Sequence, residues 1–225
     1  MQGSSLAGKP VLVFGAGGAL GSAVASALAG AGALVTGADK MAPPPSRRLA
    51  GAQYEAVDVL DDAAVGALFD AVQTPWAVLN TVGGYAPARP LSELDHAELV
   101  DQLSLNVVTA ALITKHALRV MQPAGEGRIV HTSSRAAVVT AGSGFAYSVS
   151  KAGVLHLVAM AADEVRGTGV TVNCVVPSII DTPANRAALP KANHDAWPKA
   201  EDIALAFLFL SQPESRLVNG AALPV

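Results

Sequence analysis

Tyr147-Ser148-Val149-Ser150-Lys151 sets a phenol and an ammonium four positions apart, which stacks them on one face of a helix. A phenol titrates near ~10 in water, too high for easy proton exchange at neutral pH. A neighbouring cation stabilises the phenolate, so Lys151 is expected to lower the pKa of Tyr147 and make it a general acid or base. Ser133 and Ser134 stand 14 and 13 positions earlier, at the end of an apolar run. A hydroxyl there can hold a substrate oxygen while the phenol exchanges its proton; it can equally cap a turn.

A second constellation lies near the start. Gly15-Ala16-Gly17-Gly18-Ala19-Leu20-Gly21 follows an apolar strand and precedes an Ala-rich helix. Small residues let the backbone approach a pyrophosphate, and the first N–H groups of the helix face it. The spacing carries one residue more before its last glycine than G-x-G-x-x-G. Asp39 follows 24 positions after Gly15. An acid there accepts both hydroxyls of an adenosine ribose and repels a 2′-phosphate, which favours NAD(H). Lys40, Arg47 and Arg48 can accommodate that phosphate, so NADP(H) stays open. Asp58 can meet the adenine amino group, or serve as the N-terminal charge of the helix starting near Asp61.

These residues need elements to hold them. Strands are expected at Pro10–Phe14, Ala33–Ala38, Gln53–Val57, Trp76–Thr81, Gly127–Thr132 and Val170–Val176, with a possible seventh at Ala221–Val225. Helices are expected at Ala19–Ala31, Asp62–Val72, Ser92–Met121 (one extended helix), Tyr147–Arg166 and Ala200–Leu210. Unbroken Val/Ile/Leu strands indicate burial on both faces, and strand–helix alternation implies a parallel sheet with right-handed crossovers. The expected fold is a doubly wound α/β domain of Rossmann type, three layers α/β/α, in a single domain over residues 1–225. The Pro-rich piece Ala42–Ser46 reads as a surface loop. Asp181–Trp197 reads as an irregular segment at the carboxyl edge of the sheet, a substrate loop. Within it Arg186 can pair with a carboxylate or phosphate, and Trp197 and His194 can border the substrate; a surface charge, a loop anchor and a solvated histidine are the plainer readings.

Composition narrows the classes. Of 225 residues 51% are apolar and 15% charged, with a net charge of -3. No basic stripe suggests nucleic acid, and no apolar run reaches the ~20 residues of a membrane span. Met1–Pro10 does not read as a secretory signal. The lone Cys174 sits in an apolar run, as a buried and inert thiol. The chain therefore reads as a cytoplasmic protein. Its five histidines lack metal-ligand spacing, and no metal is assigned.

With these residues in view, the chain resembles the short-chain dehydrogenase/reductase family from about Lys9 to Val225. The glycine turn, Asn80-Thr81-Val82-Gly83-Gly84, Ser134 with Tyr147 and Lys151, and Pro177-Ser178-Ile179-Ile180-Asp181-Thr182 carry the likeness. It implies hydride transfer between a nicotinamide C4 and a small carbonyl or alcohol substrate. Tyr147 would be the proton donor or acceptor, with Lys151 tuning it and binding the nicotinamide ribose. Ser134 would orient substrate and Asn106 serve a proton relay. The implied cofactor set is Gly15, Gly17, Gly18, Ala19, Leu20, Gly21, Asp39, Asp58, Val59, Asn80, Val82, Gly83, Tyr147, Lys151, Pro177, Ile180 and Thr182. Asn80 would line the adenosine side, while the Ile180 backbone and Thr182 side chain would meet the nicotinamide amide or phosphates. Ala-rich helix faces imply a homodimer or homotetramer.

The chain departs from the family pattern at Phe14, where Thr often precedes the first glycine, and at Ala19 and Ser178, each in place of a glycine. Ala and Ser are small, and binding is expected to survive. The turn's Gly-Ala-Leu-Gly, Val82–Tyr85 and Asp181–Arg186 are similar to dihydropteridine reductases, which typically lack the serine that this chain has as Ser134. Dihydropteridine reductase is therefore one alternative, and a non-catalytic dinucleotide-binding sensor or scaffold is another. A nucleotide-sugar epimerase would want a larger C-terminal domain than the residues after Thr182 provide.

Overall fold

The computed structural model describes residues 6–85, 89–139 and 144–225; half of the N-terminal piece read above for a signal, residues 1–5, lies outside them. Seven strands form one parallel sheet: β1 (Pro10–Phe14), β2 (Leu34–Asp39), β3 (Gln53–Ala56), β4 (Ala77–Asn80), β5 (Gly127–Thr132), β6 (Val170–Val176) and β7 (Ala222–Pro224). Their order is β3-β2-β1-β4-β5-β6-β7, so the chain reverses direction across the sheet between β3 and β4. That reversal opens a crevice above the carboxyl ends of β1 and β4, where doubly wound sheets bind ligands.

β4, β5 and β6 are buried at every position, as their β-branched sequences require of strands covered on both faces. The period of two splits each strand between two cores. Leu12, Phe14, Val78, Ile129 and Val172 face one layer; Val11, Val13, Leu79, Val130 and Val175 face the other. The first layer consists of α2 (Asp62–Ala71), α4 (Thr109–Ala124) and α5 (Phe145–Glu164); the second of α1 (Ala19–Gly30) and α7 (Ala200–Ser211). The edge strands β3 and β7 are largely exposed and keep only part of the expected apolar pattern.

The extended helix read over Ser92–Met121 is instead three segments. α3 (His96–Leu103) starts at an Asp95 cap, a π turn occupies Ser104–Val108, and α4 follows to Ala124. A π turn inserts one residue and shifts the helical phase, a local change that reading the whole stretch as one helix did not register. The segment read as irregular also contains structure: α6 (Pro183–Ala188) and a 3-10 turn at His194–Ala196. Thr182 caps α6 by accepting from the Asn185 amide at 3.1 Å, and Pro183 takes the first helical position. α5 is long and apolar enough to cross a bilayer by length and composition, contrary to the run-by-run reading. Here its inner face, including Ser150 and Lys151, packs into the domain.

Candidate active site

The crevice is built from the ends of β1, β4, β5 and β6. At β1 the chain turns through Gly15, whose φ of 80° lies in the left-handed region that favours glycine. α1 then begins at Gly18 with no side-chain cap and no acidic residue in its first turn. Its leading N–H groups are thus left to an external acceptor. Gly21 packs so closely that a Cβ there would meet the Gly15 carbonyl oxygen and the Thr81 hydroxyl, the latter at 2.6 Å. An uncapped N-terminus beside a backbone cradle fits an anionic pyrophosphate. Leu20 of the same turn reaches the main cavity.

Asp39 closes the end of β2. One carboxylate oxygen accepts from the Gly17 amide at 2.9 Å and the other from the Lys40 amide at 2.8 Å. Lys40, read above as a cation for a 2′-phosphate, pairs instead with Asp58 at 2.9 Å. That ammonium holds the Asp58 carboxyl below the usual carboxylate range. Val59 turns its side chain into the core.

Asn80 is buried and joins a chain of donors that sequence reading missed. Its Oδ1 accepts from the Val82 amide at 3.0 Å, and its amide nitrogen lies 3.1 Å from His131 Nδ1. His131 Nε2 lies 2.8 Å from Thr114 Oγ1, which donates to the Ala110 carbonyl at 2.7 Å. Full burial pushes the imidazole down to about 4, so it is neutral. The donors around it are all satisfied if the proton sits on Nε2. Sequence expectation put Asn80 at adenosine; its side chain here points inward and holds the Val82–Gly83 backbone. Only a long-range contact, 51 positions apart, reveals this.

α5 and β5 carry the proton-transfer groups. The Ser133 hydroxyl donates to the Lys151 carbonyl at 2.8 Å, tying the strand end to the helix. Lys151 Nζ donates to the Thr132 carbonyl at 3.1 Å. Ser150 donates to the Tyr147 carbonyl and accepts from Asn106 at 3.0 Å. Asn106, brought inward by the π turn, also donates to Gln102. Its Oδ1 is buried with no partner among the described residues. A Cβ at Gly83 would lie 2.7 Å from Lys151 Nζ and 2.9 Å from that Oδ1, so only glycine lets the β4 loop close over both.

The Tyr147 ring meets Tyr85 edge-on, with centroids 5.3 Å apart. Burial raises the Tyr147 pKa above its ordinary value, hydrogen bonding with Ser134 pulls it down, and Tyr85 adds a smaller upward push. This corrects the expectation that Lys151 acidifies the phenol. Burial instead brings Lys151 itself down to about 8, and its ammonium is engaged by Thr132. The Ser134 hydroxyl accepts from the Ala136 amide at 3.2 Å, which leaves its own hydrogen for an oxygen near Tyr147. The cap reading of this serine is thus met, and its hydrogen stays available to the cavity.

Ser134, Tyr147 and Lys151 line one cavity of about 760 Å³. Tyr85, Val139, Ile179, Leu189 and Trp197 supply apolar wall, and Asn185, which sequence reading missed, adds an amide. Pro177 and Ile180 line it as well; the Ile180 carbonyl accepts from Asn185 at 2.8 Å. Arg186 does not line it. Asp181 engages that guanidinium through both carboxylate oxygens, at 2.6 and 2.9 Å, which removes it as an anion receptor. His194 and Trp197 stack with ring centroids 4.6 Å apart. Cys174 is buried and its thiol pushed up to about 12, as an inert core residue. No group of three or more metal-ligating side chains occurs among the described residues.

A family model described as enoyl-(acyl carrier protein) reductase matches residues 15–225. The chain is 34% identical to cis-4-hydroxycyclohexanecarboxylate dehydrogenase of Sinomonas cyclohexanicum, over 100% of this chain and 97% of the relative. It is 31% identical to D-threitol dehydrogenase of Mycolicibacterium smegmatis, over 98% and 92%. A short-chain type dehydrogenase/reductase from Mycobacterium ulcerans superposes with a TM-score of 0.89 at 28% identity, covering 98% of this chain and 89% of that one. These relatives do not favour the dihydropteridine reductase alternative. The match along nearly the whole chain, together with the crevice just described, makes this protein a member of the short-chain dehydrogenase/reductase family of NAD(P)-dependent oxidoreductases.

Proposed function

We propose that this protein interconverts a secondary alcohol and its ketone on a compact, largely apolar small molecule, with NAD(H) as cofactor. The observation that carries the reading is the shared cavity, in which Ser134, Tyr147 and Lys151 border apolar wall beside the glycine turn. The relative named for a hydroxylated six-membered ring supports a substrate of that size. Bound dinucleotide supplies or accepts a hydride at its nicotinamide C4.

The protein's own groups manage the proton and the geometry. In reduction Tyr147 gives its hydroxyl proton to the substrate oxygen; in oxidation it takes that proton. The Ser134 hydroxyl donates to the same oxygen and fixes its position. Lys151, in the same cavity and held by the Thr132 carbonyl, would serve as the proton store for Tyr147 and would reach the nicotinamide ribose. Asn106 Oδ1 offers an unused acceptor beside it for onward proton movement. Gly15, Gly17, Gly18, Ala19, Leu20 and Gly21 would hold the pyrophosphate, Asn80 fixes the Val82 amide in the loop that would face the dinucleotide, and Pro177, Ile180 and Thr182 would border its nicotinamide end. The intact set argues against a sensor or scaffold that merely binds the dinucleotide.

Asp39 supports NAD(H) over NADP(H), because its carboxylate stands beside the glycine turn, accepting from the Gly17 amide, where it would repel a 2′-phosphate, and Lys40 pairs with Asp58. D39A is expected to weaken NADH about tenfold or more, by loss of charge-assisted hydrogen bonds, and to narrow the gap to NADPH. Fluorescence titration of both cofactors checks this; a strong NADPH preference in the parent protein overturns it.

A homodimer across α4 and α5 is supported by a groove between them in which Val107, Leu118, Leu157 and Met160 are rimmed by Lys115, Arg119, Gln122 and Glu164, flanked by exposed Val108 and Val149. Apolar surface of this kind marks an interface. Sedimentation equilibrium is expected to give a dimer or its multiple, and M160E a smaller species. A parent protein that stays monomeric at micromolar concentration excludes the interface. The acidic balance and one buried thiol support a cytoplasmic location.

A further inference from the structure

The cavity has a charge pattern that proton transfer does not explain. Among the described residues lining it, two carry charged side chains, Lys151 and Arg135, and none is acidic. Lys151 is buried and tied to Thr132. Arg135 has no such employment. It follows Ser134 directly, its amide is anchored to the Pro177 carbonyl at 2.9 Å, and its guanidinium makes no hydrogen bond or ion pair among the described residues. The contrast with Arg186, engaged twice by Asp181, is direct.

The position also separates Arg135 from the cofactor's phosphates. It stands past β5, two strands across from the glycine turn after β1, on the side of Ser134 where Ala136 and Val139 continue the wall. A guanidinium stays charged across the working pH range and presents a planar fork that matches a carboxylate. Its side chain is exposed at the cavity, and among the described lining residues no acid offsets its charge.

We infer that Arg135 is a specificity residue that takes the carboxylate of an anionic substrate, a hydroxy or oxo acid whose apolar skeleton separates the carboxylate from the carbon reacting at Ser134 and Tyr147. The inference rests on the alcohol–ketone reading for what happens at the other end of the molecule, but the binding claim can be read without turnover.

The probe is cyclohexanecarboxylate, which has no hydroxyl to oxidise, set against neutral cyclohexanecarboxamide. Both are titrated by calorimetry into the protein saturated with NADH. The carboxylate is expected to bind at least tenfold more tightly than the amide, as a charge-assisted pair supplies. In R135M that ratio falls towards one, and R135K recovers part of it, because the charge remains while the fork is lost. Circular dichroism of the variants checks that they fold. Equal binding of acid and amide to the parent protein overturns the inference, as does an unchanged ratio in R135M. Oxidation of 4-hydroxycyclohexanecarboxylate with NAD+ is followed in parallel. Carboxylate selectivity without turnover sinks the alcohol–ketone reading and leaves Arg135 as an anion receptor; turnover of the acid and its methyl ester at equal KM sinks the inference alone.

Discussion

Replacing Tyr147 by phenylalanine is expected to lower kcat by about 10²- to 10⁴-fold, the contribution of a positioned general acid or base. At 1.36 kcal/mol per tenfold this is about 2.7–5.4 kcal/mol of barrier. The ring remains, so its edge-on contact with Tyr85 is kept, and the fold and NADH affinity should change little. The pH profile supplies a second readout. Burial raises the Tyr147 pKa, whereas Lys151 sits near about 8, so Lys151 is the group that changes charge between neutral and mildly alkaline pH. Below about 8 it holds its proton and reduction proceeds at its full rate; above, reduction falls. Oxidation runs the other way, rising as Lys151 becomes able to take the proton that Tyr147 collects. The residual turnover of Y147F should lack this inflection. Equal kcat in the two proteins would remove Tyr147 from the mechanism.

The same Lys151 shift has a consequence for stability. Its pKa is lowered from 10.5 to about 8 on folding, so between these values the unfolded chain binds more protons than the native one. Stability from this group therefore rises with pH across that window, with the penalty for burying a charged ammonium present in full below about 8. Loss of reduction activity above that pH is thus a titration effect and not unfolding at this site, a distinction that circular dichroism across the same range can register.

The second large effect is expected at Gly21. In G21A the new methyl would collide with the Gly15 carbonyl and lie 2.6 Å from the Thr81 hydroxyl, and the first of these is backbone that cannot swing aside. The glycine turn must then lift from β1, at a cost of about 1–3 kcal/mol. For a chain of this size each kcal/mol lowers Tm by roughly 2–4 °C. Because the displaced backbone is the pyrophosphate cradle, NADH affinity should fall together with Tm. G30A is the matched control: it lies in the same helix, and a Cβ there meets nothing within 4 Å. It should be neutral, or stabilise by up to about 1 kcal/mol through helix propensity. Unchanged Tm and unchanged NADH affinity in G21A would show that the cradle tolerates a side chain.

How far these sites were legible depends on the range of the interaction that makes them. Gly127–Thr132 and Val170–Val176 were readable to the residue: Val170–Val176 is rich in β-branched residues, and Ile129-Val130 marks the other strand, with both buried at every position. Other bounds shifted by a residue at one or both ends, at buried β4 as at the exposed edge strands β3 and β7, because ladder pairing and not burial alone sets where a strand stops. The Tyr147–Lys151 pair and the glycine turn were readable because helical spacing and turn chemistry are local. Arg135 left no signal, since the role proposed for it comes from lining a cavity whose described residues include no acid.

Local order therefore belonged to the sequence by itself: the α/β alternation, the glycine turn and the Tyr147–Lys151 spacing. Only tertiary structure decided what each polar group meets. It inserted a π turn that brings Asn106 inward, spent Arg186 on Asp181, and joined Asn80 to His131 across two strands. It also made burial, not Lys151, the dominant influence on the Tyr147 phenol. Periodicity arises from neighbours along the chain, whereas desolvation and pairing depend on groups brought together from far apart in it, and these are set only once the layers have packed.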